Sequence, residues 1–181
     1  MGKNIEEVRV GVTGVVAVGA FGLTTPPTDA TTTLHSSFVD YGYVSEDGVT
    51  ETTEQSSSKI RAWQKNKVVR TVMEEGSVQY AFTLIQTNAD TVAYYYGGTV
   101  ASDGSIVIDP TTERPVHEFV IDVIDGDSII RAYAPEARVI EVGDQVYENG
   151  APIGYEVTVE CEYNDDLGGS VKKWYTDLIE S

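Results

Sequence analysis

The chain has 181 residues, of which 12 are basic and 29 acidic, so its formal net charge is -17. This length is typical of one domain with a sizeable core, and the acidic field repels nucleic-acid phosphates and anionic membranes. The single cysteine, Cys161, excludes an internal disulfide and argues against a small disulfide-stapled secreted domain.

The N-terminal region has the pattern of a strand. Val8, Val10 and Val12 alternate with other residue types, which is the period of a β-strand, and residues 15–21 continue it or form a second strand after a bulge at Gly14. Acids precede the apolar run and glycines interrupt it, unlike a signal peptide. No stretch has the length and apolarity to cross a bilayer. We therefore expect a soluble protein made in a cytoplasm.

Residues 23–58 form a long polar segment between two regions of β pattern. Loops of this length are uncommon in compact domains and are usually functional or disordered. The middle of the segment is a semi-apolar island with Asp47-Gly48 as a hairpin tip. We predict an arm that orders against a neighbouring subunit. Its candidate contact residues are Phe38, Tyr41, Tyr43, Val44, Glu46 and Asp47.

The next elements are short strands and one helix. Strands are predicted at 60–63 and 67–72, then a turn at Glu75-Gly76 and an alternating strand at 77–86. One face of that last strand is apolar, and the other is uncharged, consisting of Ser77, Gln79, Ala81 and Thr83. A helix over 91–96 follows, with Asn88 or Asp90 as its N-cap and Gly97 as its left-handed stop.

The remaining sequence has the pattern of hairpins, because its Gly-containing pairs supply the positive φ that tight turns need. Turns at 103–104, 126–127 and 149–150 separate strands at 99–101 and 105–108, 116–125 and 128–133, and 145–147 and 153–163. A strand is also predicted at 137–142, and 171–179 is a strand or a frayed helix. The fold class is therefore mainly β, a β-sandwich or partly open barrel with one short flanking α-helix. Cys161 falls on the apolar face of its strand and is expected to be buried.

The order and spacing of these segments resemble the major tail protein, or tail tube protein, of bacteriophages with long non-contractile tails. The resemblance covers residues 8–175 and no single motif in it is a chemical signature. It is carried by YGYVSEDGV at 41–49, IRAW at 60–63, VRTV at 69–72, FTLIQTN at 82–88, YGG at 96–98, and the stretches 131–135, 141–144 and 154–159.

The resemblance implies a structural virion protein with one tail-tube domain, residues 1–181, similar in fold to the type VI secretion tube protein. It implies rings, commonly hexameric, that stack around a tape-measure protein and whose sheets join into one barrel around a channel. Segment 23–58 would reach a neighbouring subunit or the next ring. Tail terminator or baseplate proteins are further expected partners, DNA passes without specific binding, and assembly occurs in the host bacterial cytoplasm.

Two sets of residues are candidates for the wall of such a channel. An acidic wall lets DNA slide past, since DNA binds proteins by exchanging counterions for basic groups. The acidic candidates, for the lumen or for the outside, are Glu156, Glu160, Glu162, Glu118 and Asp122. The uncharged face of residues 77–83 is an equal candidate, and the sequence leaves this choice open.

No constellation of residues predicts catalysis, a cofactor or a metal. His35 and His117 lack a recognisable nucleophile motif, and the Asp-rich turns at 122–127 and 164–166 lack the spacing of a calcium loop. The basic cluster favours pairing with an acidic neighbour over a DNA site. It consists of Lys59, Arg61, Lys65, Lys67 and Arg70. Two rival classes stay open, a monomeric or trimeric β-domain for binding or surface decoration, and an enzyme whose site is assembled from scattered residues.

Overall fold

The computed structural model describes residues 8–22 and 25–178, and these form a mainly-β fold with one α-helix. All strand pairs are antiparallel, in the order β2-β1-β5-β6-β7-β4-β3, and β8 pairs with β6. The mainly-β class with one short flanking helix is confirmed. The elements are β1 (Thr13–Ala20), β2 (Val39–Asp40), β3 (Val44–Arg61), β4 (Val68–Leu84), α1 (Ala89–Tyr96), β5 (Val116–Asp125), β6 (Ser128–Val142), β7 (Tyr155–Cys161) and β8 (Lys172–Tyr175).

Strand β6 belongs to two layers. Its first half pairs with β8 as far as Tyr133, and its second half pairs with β7 from Ala137 onward. Pro135 lies between these two halves, where β5 also shifts register. Strands that pass from one layer to another do so at bends and bulges of this kind. The sheet therefore folds into a sandwich that stays open between β1 and β3.

The aromatic core shows that the two layers face each other. Phe82 of β4 and Phe119 of β5 are three strands apart in the sheet order, which is about 14 Å in a flat sheet. Their rings nevertheless stack with centroids 5.8 Å apart. Tyr41 and Tyr94 meet edge to face at 5.1 Å in the same core. The predicted burial of Cys161 is confirmed, and this burial raises the pKa of its thiol to about 12.

Helix α1 follows the predicted capping pattern. The Asn88 side chain accepts a hydrogen bond from the Thr91 backbone N–H at 2.8 Å, and Gly97 ends the helix at φ 72°. The Gly97 N–H donates to the Ala93 carbonyl. Asn88 is therefore the N-cap, and Tyr94 and Tyr95 are buried against the sheet.

The prediction of a loop over residues 23–58 is wrong for its second half. Residues 44–58 belong to β3, which pairs with β4 over almost its whole length. Asp47-Gly48 is a bulge in that strand, with Gly48 at φ 70°, and is not a hairpin tip. The predicted turn at Glu75-Gly76 is also wrong, since β4 continues through it and Gly76 pairs with Gln55. Residues 23 and 24 lie outside the described residues.

Smaller differences concern strand ends. Residues 8–12 precede β1 without strand structure. The turns at 103–104 and 149–150 form, but no strands flank the first, and only β7 follows the second. Segment 137–142 is the second half of β6, and 172–175 is a strand followed by a 3-10 turn. The end of the predicted element 171–179 lies outside the described residues.

Candidate assembly surfaces

One broad face of strands β3, β4 and β7 carries the uncharged candidates for a channel wall and two of the acidic ones, Glu156 and Glu160. Thr83 lies directly opposite Glu156, and Gln79 lies opposite Glu160. Directly opposed residues of antiparallel strands point to the same side. Glu156, Glu160 and the uncharged candidates therefore share one surface, here called the outer face. Its residues are Thr50, Thr52 and Glu54 of β3, Ser77, Gln79, Ala81 and Thr83 of β4, and Glu156, Thr158 and Glu160 of β7.

The charges of the outer face are well separated. Glu156 and Glu160 are four residues apart along β7, or about 13 Å, which exceeds the Debye length of about 8 Å at physiological salt. Hydroxyl and amide groups fill the space between them. Glu162, beyond the strand end, pairs with Arg138 at 3.0 Å. The two carboxylates of the face therefore repel each other only weakly, and neutral polar groups lie between them.

Two acidic candidates, Glu118 and Asp122, do not belong to an exposed wall. They are 4% and 8% exposed. Asp122 forms a double hydrogen bond with Arg131, at 2.7 Å for both Nε and Nη2. Glu118 accepts from the Tyr133 hydroxyl at 3.1 Å and from the Gly22 N–H at 3.2 Å. The prediction of Glu118 and Asp122 as wall residues is therefore corrected, because both carboxylates accept hydrogen bonds inside the subunit.

Arg131 extends this anchoring to the segment before β2. Its Nη1 donates to the carbonyls of Asp29 at 3.0 Å and Thr32 at 2.6 Å. The Asp29 carboxylate in turn accepts from the Thr31 and Thr32 N–H groups, and hydrogen bonds from Thr32 and then Thr31 hold its pKa below the ordinary value. Residues 25–38 are thus fixed to their own subunit. The sequence analysis included Arg131 in the family resemblance but did not predict this anchoring role.

The predicted arm residues divide into two groups. Tyr41 is 8% exposed in the aromatic core, and Phe38 packs beside Ala17, Val120 and Tyr133. Tyr41 is therefore an internal core residue, which corrects its place among the arm contacts. Tyr43, Glu46 and Asp47 are exposed and Val44 is half-buried, so these side chains are placed at the surface near the start of β3. Their contact with another subunit stays a prediction.

A two-stranded ribbon extends beyond the sandwich. Strand β4 pairs with β7 only from Val78 onward, so the part of the β3–β4 hairpin before it has no third strand among the described residues. This ribbon comprises residues 55–76. Lys65 and Asn66 hold positive φ at its tip, and Trp63 there is 97% exposed. The ribbon carries all five residues of the basic cluster.

The sheet also has two open edges. In the sheet order, β3 is the last strand at one end and β2 the last at the other. Strand β2 covers only Ala17 and Val18 of β1, so the start of β1 is also open on that side in the described part of the chain. Unpaired strand edges are templates for pairing with another chain. The eighteen residues of β3 form the longer template.

The described residues do not form a metal centre or a catalytic constellation. Residues 8–22 and 25–178 contain no group of three or more His, Cys, Asp or Glu residues that could hold a metal. His35 Nδ1 lies 2.8 Å from the Ser37 hydroxyl in an exposed turn, and His117 is half-buried against Tyr94. Within these same residues, no helix is long and apolar enough to span a membrane.

A comparison with protein-family models identifies the family of this chain. The family model described as phage tail tube protein matches residues 1–177. Among solved structures, a chain in the six-fold symmetrised cryo-EM structure of the anti-feeding prophage baseplate is similar, with 12% identity and a TM-score of 0.41. That similarity covers 96% of this chain and 97% of the other. The comparison with curated proteins finds no match.

Proposed function

Since this chain belongs to the phage tail tube protein family, and is thus a structural protein of the virion tail, we propose that its subunits join edge to edge into rings that stack into a tube. The family match also confirms that the chain is not an enzyme. In this proposal residues 1–181 act as one tail-tube domain. The tail is of the long non-contractile type, and assembly takes place in the host bacterial cytoplasm.

The open edges support ring formation. The edge of β3 in one subunit pairs with the β1–β2 edge of the next, so that each ring contains one continuous sheet. This contact joins two different surfaces, and such head-to-tail contacts close into rings when the rotation per subunit divides a full turn. Six subunits is the number we propose. Closure pairs the β3 edge and the β1–β2 edge, which also protects the protein from unspecific aggregation.

The residues of the outer face are suited to line a channel. We propose that it lines the lumen, because it belongs to the strands nearest the β3 edge and combines carboxylates with neutral polar groups. Glu156 and Glu160, repeated around a ring, repel phosphates, and Arg138, which lies opposite Glu160 on β6, is itself paired with Glu113 and Glu162. DNA then passes without the counterion release that drives binding. The tape-measure protein occupies this channel before ejection, and terminator and baseplate proteins bind the tube ends.

Hydrogen exchange tests the edge contact. Amides of an edge strand that point away from its partner exchange fast in a free subunit and slowly once they pair with another chain. We expect the β3 amides of residues 49–55 to gain protection when the protein is concentrated into rings or tubes. Buried β7 amides serve as the internal control. A monomeric or trimeric binding domain predicts unchanged exchange in β3 at every concentration.

A further inference from the structure

Asn149 and Gly150 form an exposed turn in the segment between β6 and β7. Gly150 has a φ of 92°, and a Cβ placed on it would meet no atom within 4 Å. Among the residues that the structure describes, neither the Asn149 side chain nor the Gly150 N–H forms a hydrogen bond. The Asn149 carboxamide and the backbone nitrogen that follows it are therefore both accessible, and no partner fixes the side chain.

We propose that Asn149 is a site of spontaneous deamidation, which changes the charge of the folded protein. The Gly150 nitrogen attacks the Asn149 Cγ and loses its proton, and the new N–C bond closes a five-membered succinimide ring. The side-chain nitrogen leaves as ammonia. Water then adds to either ring carbonyl and opens the ring to aspartate or isoaspartate, so water is the only co-reactant and no electrons are transferred. Glycine in the second position favours the attack because no Cβ hinders its nitrogen.

The other asparagines in the described part of the chain lack this combination of features. Asn88 caps α1, and its side chain accepts a hydrogen bond from a backbone N–H at 2.8 Å. The Asn164 side chain accepts a backbone hydrogen bond at 2.8 Å and donates another to Glu136 at 2.7 Å. Asn66 is exposed, but Lys67 follows it and places a Cβ beside the attacking nitrogen. Deamidation should therefore be selective for the turn at 149–150.

Three Asp-Gly pairs have the same spacing but should react more slowly. They are residues 47–48, 103–104 and 125–126. Aspartate is ionised at neutral pH, and an ionised carboxylate resists attack by a nitrogen. The Asp103 carboxylate accepts hydrogen bonds from the Ser105 hydroxyl and N–H, which lower its pKa further. Asp125 accepts a hydrogen bond from the Val10 N–H at 3.0 Å. The neutral carboxamide of residue 149 has neither obstacle.

The segment that carries this turn begins and ends beside the outer face. At its start, the Gly143 N–H donates to the Glu156 carbonyl at 3.0 Å, and the Gly143 carbonyl accepts from the Tyr95 hydroxyl at 2.6 Å. At its end, a Cβ placed on Gly154 would lie 2.9 Å from the Thr83 side chain. Deamidation would add one negative charge to this segment in every subunit. The chemistry is independent of the proposed function, but in the proposed rings it would add to the charge beside the channel wall.

Incubation of the dilute full-length protein at mildly alkaline pH tests the site. We expect peptide mass spectrometry to show a gain of about 1 Da at residue 149 before any gain at Asn88 or Asn164. Labelling by a methyltransferase specific for isoaspartate should accompany that gain. Gly150→Ala should slow the reaction by roughly tenfold or more, which corresponds to about 1.4 kcal/mol of added barrier. Since the positive φ strains alanine there, Asn149→Gln is a second variant, and its longer side chain should stay unmodified over the same period.

The same incubation in urea gives the rate of the unfolded chain. Residue 149 unmodified in the folded protein would overturn the inference, and conversion of the unfolded chain in the same time would show that the turn protects it. Earlier conversion of Asn88 or Asn164 would also overturn it. Aspartate without isoaspartate would indicate direct hydrolysis and would equally refute ring closure by Gly150. None of these outcomes depends on tube formation, so a protein that never assembles would count against the proposed function alone.

Discussion

The buried pair of Asp122 and Arg131 should be essential for stability. Arg131→Met replaces the guanidinium with an apolar chain, leaving the Asp122 carboxylate unpaired and the carbonyls of Asp29 and Thr32 without their donor. The side chains of Arg131 and Asp122 are 6% and 12% exposed, so water has little access to replace these bonds. Breaking one partner of such a pair costs about 3–5 kcal/mol. At about 2–4 °C per kcal/mol, the midpoint of thermal unfolding should fall by roughly 6–20 °C.

A matched control separates the buried pair from ordinary surface charge. Arg138→Met removes an arginine that also contacts two carboxylates, but Glu113 is 83% exposed and Glu162 40%. Its cost should be at most about 1 kcal/mol. The double variant R131M/D122L should be more stable than Arg131→Met alone, because it leaves no unpaired charge. Urea unfolding at neutral pH measures all three, and a loss for Arg131→Met no larger than for Arg138→Met would refute the reasoning.

Three further outcomes follow from other parts of the molecule. E156K/E160K should leave folding intact but slow DNA ejection from assembled tails, and unchanged ejection would place these residues outside the channel. Asn88→Ala should cost about 1 kcal/mol in urea unfolding through loss of the α1 cap, and Asp90→Asn, which leaves that bond, is its comparison. Burial, opposed by a hydrogen bond with Gly19, lowers the pKa of His117, so the unfolded chain binds the proton more tightly. Stability should therefore decline as pH falls below about 6.5, and His117→Gln should flatten that decline.

Local signals in the sequence predicted local structure well. The cap at Asn88 and the stop at Gly97 depend on backbone groups within one turn, so nearby residues determine them. The same holds for the turn at 126–127, which joins β5 and β6. The inward alternation of Tyr155, Val157 and Val159 was also sufficient, because one face of β7 is buried. Residues close together in the sequence are therefore sufficient to predict these elements.

The long strand β3 was missed because it lacks the signal that reveals strands. Its sequence is rich in Thr, Ser, Glu and Gln, and its residues beyond Val49 are almost all exposed. Alternation marks a strand only when one face is buried. Strand β3 forms by pairing with β4. The sequence of β4 does not indicate which strand it pairs with, or in which register. A polar strand of this kind therefore looks like a loop.

The contact between Asp122 and Arg131 could have been predicted from the hairpin turn between β5 and β6. Asp125 pairs with Ser128 across the turn. Moving three residues away from the turn along each strand therefore places Asp122 opposite Arg131. Opposite charges on directly paired residues are a recognised cross-strand contact. The burial of that pair, however, requires residues 25–38 to cover it, and no local pattern in this segment predicts where it lies. The sequence therefore predicts the contact between these two side chains but not its burial.

Cryo-electron microscopy of the concentrated protein tests the central claim most directly. We expect hollow tubes in which β3 of each subunit is hydrogen-bonded to the β1–β2 edge of its neighbour. In those tubes the outer face, with Glu156 and Glu160, should line the channel. A protein that remains monomeric at high concentration would contradict the account, as would a tube whose outer face points away from the lumen.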